Sequence, residues 1–201
     1  MMKKIAIFAS GSGSNFQAII DAVKKGKLKA DIKLLVCDKA DAFALERAKN
    51  ENIPYFVFNS KEYANKEDYE LDILKKLRAT EIEFVILAGY MRLIGPTLLS
   101  EYEGKIINIH PSLLPAFPGK DAIGQALNAK VKVSGVTIHY VDAGMDTGPI
   151  IAQKAIEISD DETKESLQTK IHRIEHELYP LVIQGLLQSQ GRFSDEKASV
   201  N

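Results

Sequence analysis

The sequence predicts an α/β fold built on a mainly parallel, twisted sheet with helices on both faces and a C-terminal antiparallel portion. Short apolar runs alternate with helical stretches through the first half of the chain, which is typical of βαβ units. These runs are apolar almost without interruption, as in strands that are covered on both faces. Two longer strand-like segments then follow each other with only a glycine-containing turn between them. The three observations together predict a Rossmann-like architecture that ends in an antiparallel hairpin.

Five strands and four helices are predicted before residue 110. The strands cover residues 4–8, 32–37, 55–58, 84–88 and 106–109. The helices between them cover residues 15–25, 42–50, 62–78 and 96–102. The single cysteine, Cys37, lies in the second apolar run, so we expect it to be buried in a strand. One cysteine cannot form an intramolecular disulfide bond, which indicates a reducing compartment.

The pattern changes after residue 109, where three prolines and Gly119 predict a rigid loop in place of an immediate helix. A helix over 122–129 follows, and then strands over 131–141 and 150–158 that are joined by a turn over 142–148. A last helix is predicted over 163–188, because apolar residues recur there at helical spacing and would pack on the sheet. These residues are Leu167, Ile171, Ile174, Leu178, Leu181 and Val182. We expect one domain over 1–193 and a flexible tail over 194–201.

The charge balance argues against a nucleic-acid partner and against an anionic membrane. Lysine and arginine total 26 against 27 acidic residues, so the chain has no basic field and must hold any anionic ligand locally. The apolar run at the N-terminus stops after residue 9, too early for a secretory signal, and no run approaches the roughly 20 residues that span a bilayer. We therefore expect a cytoplasmic protein.

A glycine-rich loop, made of Gly11, Ser12, Gly13, Ser14 and Asn15, lies between the first strand and the first helix. Backbone N–H groups at such a helix start bind phosphate, and the glycines let the backbone approach the anion. Ser14 or Asn15 is also suited to cap the helix. The simpler interpretation is a tight turn with a helix cap and no ligand.

A dinucleotide site is the second interpretation of the same loop. Gly11 and Gly13 match the first two glycines of that fingerprint, and Asp38 ends the second strand. Phe16 occupies the third glycine position, where it would obstruct close helix packing. A phosphomonoester is therefore favoured over NAD.

Polar residues also follow two later strands, at the sheet edge where open parallel sheets bind their ligands. The segment from Met91 to Ile94 carries Arg92 and could receive a flat heterocycle along its main chain, although an arginine that merely extends to solvent would look the same. Asn108 and His110 alternate with Ile109, so both point to one side.

An amide and an imidazolium are suitable donors for an oxyanion that develops on a carbonyl carbon. A strand-terminal Asn108 and His110 could instead satisfy backbone groups. Asp146, in the glycine-rich turn, could reach His110, and a neighbouring carboxylate favours the charged form of an imidazole. The sequence therefore predicts an acyl-transfer site made of these three residues.

The run from His172 to His176 matches the His-x-x-Glu-His pattern of inverted zinc peptidases. A catalytic zinc ion needs three protein ligands, and no downstream motif supplies the third. No metal is therefore expected. Glu175 could face the cavity, although an exposed position is the default for an acidic residue on a helix.

Taken together, these segments resemble the phosphoribosylglycinamide formyltransferases, folate-dependent enzymes of purine synthesis. The resemblance rests on the glycine loop and on the runs 87–92, 108–115 and 142–149, in matching order and spacing over nearly the whole chain. It implies the formyltransferase fold and transfer of formyl from 10-formyltetrahydrofolate to the amine of glycinamide ribonucleotide. The implied cosubstrate is that folate, with no metal, and the implied assembly is a monomer or homodimer.

The resemblance also implies a role for each matching residue. The glycine loop would hold the substrate phosphate, and Glu175 would meet its ribose hydroxyls. Asn108, His110 and Asp146 would be catalytic. The folate would lie on a set that comprises Lys66, Met91, Arg92, Leu93, Ile94 and Asn108.

Two other functions stay open at this point. A formyltetrahydrofolate hydrolase would use water in place of the amine and would not need the phosphate loop. A non-catalytic nucleotide-binding module would bind phosphate while His110 only satisfies a strand end. The family's transfer-RNA-modifying relatives add a C-terminal domain, for which this chain has no matching segment, and the position after Gly119, where some members carry histidine, is Lys120 here.

Overall fold

A seven-stranded sheet forms the centre of the molecule, in the order β3-β2-β1-β4-β5-β6-β7, in a computed structural model that describes residues 2–198. The first five strands are parallel, and the last two continue the sheet in antiparallel pairing. The predicted fold class is therefore confirmed. The strands are β1 (Lys3–Ala9), β2 (Ala30–Cys37), β3 (Tyr55–Val57), β4 (Phe84–Leu87), β5 (Ile106–His110), β6 (Val133–Tyr140) and β7 (Ile150–Glu157).

Within the described residues, six α-helices cover the two faces of this sheet. They are α1 (Ser14–Lys24), α2 (Phe43–Asn50), α3 (Lys66–Ala79), α4 (Pro96–Glu101), α5 (Ala122–Asn128) and α6 (Lys164–Ala198). Alternate residues of β1 enter two separate apolar clusters: Ile5 and Ile7 pack with α1, α2 and α6, whereas Ala6 and Phe8 pack with α3 and α4. Because both faces are buried, the central strands need apolar residues at every position. Cys37 is fully buried in β2, as predicted.

Helix α3 begins four residues later than the sequence predicted. A short 3-10 turn occupies Ser60–Glu62, and the Asn65 side chain caps α3 by accepting a hydrogen bond from the Asp68 N–H group. An N-cap of this kind satisfies a donor that the helix itself leaves free. The other predicted helices and strands begin and end within about two residues of the observed bounds, except at the end of α6.

Helix α6 is joined to the sheet centre by Tyr179, whose hydroxyl donates to the carbonyl oxygens of Leu87 and Ile107. The buried stripe of α6 continues from Tyr179 to Ile183 and Leu187 at four-residue spacing. Leu181 lies off this stripe and is 69% exposed, so its predicted packing on the sheet is wrong.

The same helix continues to Ala198, beyond its predicted end at residue 188. The predicted flexible tail over 194–201 thus begins in this helix, and its residues 199–201 lie outside the described part of the chain. None of the helices between residues 2 and 198 has the length and apolar character needed to cross a bilayer.

Candidate active site

A cavity of about 600 Å³ opens at the carboxyl ends of β1, β4 and β5. The strand order reverses direction between β1 and β4, and ligands of open α/β sheets bind at such a switch point. The cavity is lined by the glycine loop, the 91–94 segment, Asn108, His110, Asp146 and Glu175. The structure therefore brings together every predicted site residue except Lys66.

The glycine loop is held from behind by α2. The Ala44 N–H donates to the Gly11 carbonyl oxygen, and Arg47 Nε donates to the Ser12 carbonyl oxygen at 2.8 Å. Gly13 is the N-cap of α1 and adopts a left-handed φ of 68°. Neither Ser14 nor Asn15 caps the helix, contrary to the prediction, because Gly13 already occupies the cap position.

Asn15 instead points across the cavity floor to Glu175 on α6. Its Nδ2 donates to Glu175 Oε2 at 2.9 Å, while its Oδ1 is buried without a hydrogen-bond partner in the described part of the chain. Glu175 is 4% exposed, so the exposed position considered for it is wrong. Burial raises the pKa of Glu175 to about 7, against the opposing effect of the Asn15 hydrogen bond.

This buried carboxyl group makes the folding stability depend on pH. Because its folded-state pKa lies above the ordinary 4.5, its contribution is complete below pH 4.5 and is lost as the pH rises through about 7. We expect the free energy of unfolding of the wild type, relative to Glu175→Gln, to fall by about 3 kcal/mol across this range. Urea unfolding of the ligand-free proteins near pH 5 and near pH 8 measures the change.

Glu177→Gln is the matched control, since this carboxylate lies on the same helix but is exposed to water. Its stability difference from the wild type should stay constant over the same pH range. An equally constant difference for Glu175→Gln would contradict the prediction.

Asn108 is oriented by His139, a residue that the sequence interpretation missed. The two residues pair across the antiparallel β5–β6 ladder, and Asn108 Nδ2 lies 3.2 Å from His139 Nε2. His139 Nδ1 lies 2.8 Å from the Tyr140 carbonyl oxygen, an acceptor, which places the ring proton on Nδ1 and leaves Nε2 to accept from Asn108. One Asn108 N–H is then engaged, and the second is left for a ligand.

His110 lies between two acceptors. Its Nδ1 is 3.4 Å from Asp146 Oδ2, and its Nε2 is 2.8 Å from the Phe117 carbonyl oxygen. A carboxylate and a carbonyl oxygen both accept, so the doubly protonated, charged ring is the form that suits both neighbours. The approach of Asp146 to His110 that the sequence suggested is thus present in the structure.

Asp146 is itself fixed by the backbone of the proline-rich loop. The Gly119 N–H donates to Asp146 Oδ2 at 2.7 Å, and Asp146 Oδ1 lies 3.6 Å from His139 Nε2. Burial favours the neutral acid, but the Gly119 N–H and the charge of His110 favour the carboxylate and lower the pKa of Asp146. A carboxylate with a lowered pKa is a stable partner for a charged imidazole.

The 91–94 segment forms one wall of the cavity. Its start is tied to the first loop by the Met91 N–H, which donates to Ser10 Oγ. The Arg92 guanidinium donates from Nε to Asp38 Oδ2 and from Nη2 to Ser60 Oγ, and it lies over the Tyr69 ring, so its charge is paired within the protein. Met91 is 65% exposed, and Leu93 is 48% exposed. The segment therefore presents apolar side chains and main chain, rather than the arginine charge, to a ligand.

Lys66 lies outside this lining, at the first turn of α3. Its side-chain stem packs against Gly95, just beyond the end of the 91–94 segment. The His-x-x-Glu-His run contributes His172 to the cavity wall, and His172 and His176 stack at 6.0 Å between ring centres. Among the described residues, no three histidine, cysteine, aspartate or glutamate side chains are grouped so that they could hold a metal ion.

An amide, an imidazole and a carboxylate that meet beside a glycine-rich loop at a helix N-terminus are suited to acyl transfer. Comparison with known proteins agrees with this class. Residues 3–183 match the formyl transferase family model. The chain is 60% identical to the phosphoribosylglycinamide formyltransferase of Bacillus subtilis, over 92% of this chain and 95% of that protein.

Two solved structures extend the match to three dimensions. Glycinamide ribonucleotide transformylase 1 from Geobacillus kaustophilus is 61% identical, with a TM-score of 0.91 over 93% of this chain and all of that one. Phosphoribosylglycinamide formyltransferase from Bacillus halodurans is 57% identical, with a TM-score of 0.90 over 92% of this chain and 95% of that one. The chain therefore belongs to the formyl transferase family, and the resemblance predicted from the sequence is confirmed.

Proposed function

We propose that the protein transfers the formyl group of 10-formyltetrahydrofolate to the amine of glycinamide ribonucleotide. The products are formylglycinamide ribonucleotide and tetrahydrofolate, and the reaction belongs to de novo purine synthesis. The observation that carries the proposal is the meeting of Asn108, His110 and Asp146 in one cavity with a phosphate-binding type of loop. The names of the relatives with high sequence identity support the same substrates.

The acceptor substrate is proposed to lie along the floor of the cavity. Its phosphate would take the backbone N–H groups of the glycine loop at the start of α1, where the helix dipole favours an anion. Its ribose hydroxyls would reach Glu175 and the buried Asn15 Oδ1, an acceptor that has no other partner among the described residues. A buried polar atom without a partner is costly, so a ligand hydroxyl there would stabilise the complex.

The formyl donor is proposed to lie against the 91–94 segment, with Asn108 at its reactive end. The exposed apolar side chains of Met91, Leu93 and Met145 fit a flat heterocycle, which would cover them. Lys66 would meet an acidic group of the donor at the outer end of this wall. We propose a monomer or homodimer in the cytoplasm, a location that the buried free thiol of Cys37 supports.

In the proposed reaction the substrate amine attacks the formyl carbon, and the carbonyl oxygen becomes negatively charged. The free Asn108 N–H and an N–H of His110 donate to this oxygen, and Asp146 holds His110 in its charged form. The carbon–nitrogen bond to the folate then breaks, and the folate nitrogen takes the proton that the amine loses. Because His110 Nε2 is bonded to the Phe117 carbonyl oxygen, it must exchange that bond for one to the substrate.

The test is an absorbance assay with 10-formyltetrahydrofolate, run with and without glycinamide ribonucleotide. We expect tetrahydrofolate to form only when both substrates are present. Release of formate at an equal rate without the acceptor would contradict transfer in favour of hydrolysis. Binding of the ribonucleotide with no turnover of the folate would leave only the non-catalytic module.

A further inference from the structure

Glu70 is a buried acid that the proposed reaction does not use. It lies on α3, outside the cavity lining, and is 1% exposed. Its Oε1 accepts a hydrogen bond from the Gly95 N–H at 2.5 Å, and its Oε2 has no hydrogen-bond partner in the described part of the chain. Burial raises the pKa of this carboxyl group, against the opposing effects of the Gly95 N–H, the Lys66 charge and the Leu98 N–H.

The backbone at Gly95 approaches this carboxylate more closely than a side chain would allow. A Cβ atom added at Gly95 would lie 2.5 Å from Glu70 Oε2, 2.8 Å from Oε1 and 2.8 Å from Lys66 Cε. Gly95 directly follows the 91–94 segment and precedes α4. The carboxylate therefore fixes the point at which the segment turns into the next helix.

The same helix also supports the middle of the segment. The ring of Tyr69, next to Glu70, lies 5.7 Å below the Arg92 guanidinium. Ile94 is 5% exposed and packs in the same apolar cluster as Tyr69. One helix thus holds the segment from beneath at Arg92, at Ile94 and at Gly95.

We propose that Glu70 is a positioning residue for the formyl donor, because its carboxylate fixes the backbone of the 91–95 segment that forms the donor wall. This inference rests on the proposed function of that wall. Burial of a carboxylate among apolar side chains lowers the free energy of unfolding unless its hydrogen bonds compensate for the lost hydration. A leucine would fill the same space without this cost, so folding alone does not require a carboxylate here. Replacement of Glu70 should therefore weaken binding of the donor and not only change the free energy of unfolding.

The experiment compares Glu70→Leu, which removes the acceptor, with Glu70→Gln, whose amide oxygen still accepts from the Gly95 N–H. Steady-state kinetics give the KM for 10-formyltetrahydrofolate, the KM for glycinamide ribonucleotide and kcat, and calorimetry gives the Kd for tetrahydrofolate. For Glu70→Leu we expect the donor KM and the tetrahydrofolate Kd to rise about tenfold or more, with the ribonucleotide KM within about twofold of wild type. Glu70→Gln should stay within about threefold of wild type in every constant.

Two further variants keep the test decisive. Gly95→Ala retains Glu70 but displaces its carboxylate, so it should reproduce the donor effect even where Glu70→Leu does not fold. Tyr102→Phe is the control: it removes another buried hydrogen bond in the same apolar cluster, to the Ile82 carbonyl oxygen, and should leave the donor KM unchanged.

The inference would be overturned if both Glu70→Leu and Gly95→Ala bound tetrahydrofolate with the wild-type Kd. An equal rise in the KM of both substrates would also overturn it. These outcomes are distinct from failure of the proposed function. If the proposed function were wrong, the wild-type protein would itself fail to bind tetrahydrofolate or to turn over the donor.

Discussion

Replacement of His110 by alanine is expected to lower kcat by about 10²–10³-fold, while the KM for glycinamide ribonucleotide stays within about threefold of wild type. The ring lies in the cavity between Asp146 and the Phe117 carbonyl oxygen, and it is not part of the glycine loop that is proposed to bind the phosphate. The hydrogen bond that we propose between His110 and the substrate would strengthen only as charge develops on the formyl oxygen. Initial-rate kinetics with both substrates varied separate the two constants.

The partner variant Asp146→Asn provides the control for mechanism. Asp146 is proposed to act through His110. The double variant with both His110→Ala and Asp146→Asn should therefore lose little more activity than His110→Ala alone. If the fold-loss in kcat of the double variant equals the product of the two single losses, the two residues act independently. Turnover by His110→Ala within about threefold of wild type would contradict any role for this ring in the chemical step.

Replacement of Gly13 by alanine is expected to raise the KM for glycinamide ribonucleotide about tenfold or more, with a smaller effect on kcat. Gly13 has a φ of 68°, which costs an alanine roughly 1–2 kcal/mol. Its new Cβ would also lie 2.9 Å from the Ala44 Cα and Cβ atoms, so the loop and α2 must move apart. That movement shifts the backbone N–H groups that the phosphate is proposed to contact.

Gly26→Ala is the matched control for this variant. Gly26 has a similar φ of 70°, but nothing lies within 4 Å of an added Cβ, and it follows the far end of α1. Both variants should lose stability in thermal unfolding, and only Gly13→Ala should weaken binding of the ribonucleotide, measured by calorimetry. Equal affinities in the two variants would exclude the glycine loop as the phosphate site.

The strands and helices were largely predictable because their signals are local. The run 34–37 is apolar at every position and is followed by Asp38 and Lys39, a pattern that predicts a strand buried on both faces. The errors arose where local pattern is weak. The start of α3 depends on a cap at Asn65 in a mostly polar stretch, and the exposure of Leu181 depends on which face of α6 meets the sheet.

The candidate site was predictable in part for the same reason. Asn108 and His110 share a face by strand alternation, and the glycine loop lies at a strand-to-helix junction, so each group was visible as a short motif. His139 carried no such motif. Its partnership with Asn108 depends on the register of two antiparallel strands, and register depends on contacts between distant residues.

By itself the sequence determined the α/β class, the order of the strands along the chain, and the chemical groups of the proposed site. Periodicity, turn residues and motif spacing encode these features within short windows. The tertiary structure decided which groups meet: Asp146 with His110, His139 with Asn108, and Glu175 with Asn15. It also placed Glu70 against Gly95, at the end of the wall that is proposed to bind the donor. These contacts join residues far apart in the chain, and their distances and degree of burial arise only when the sheet and its helices pack together.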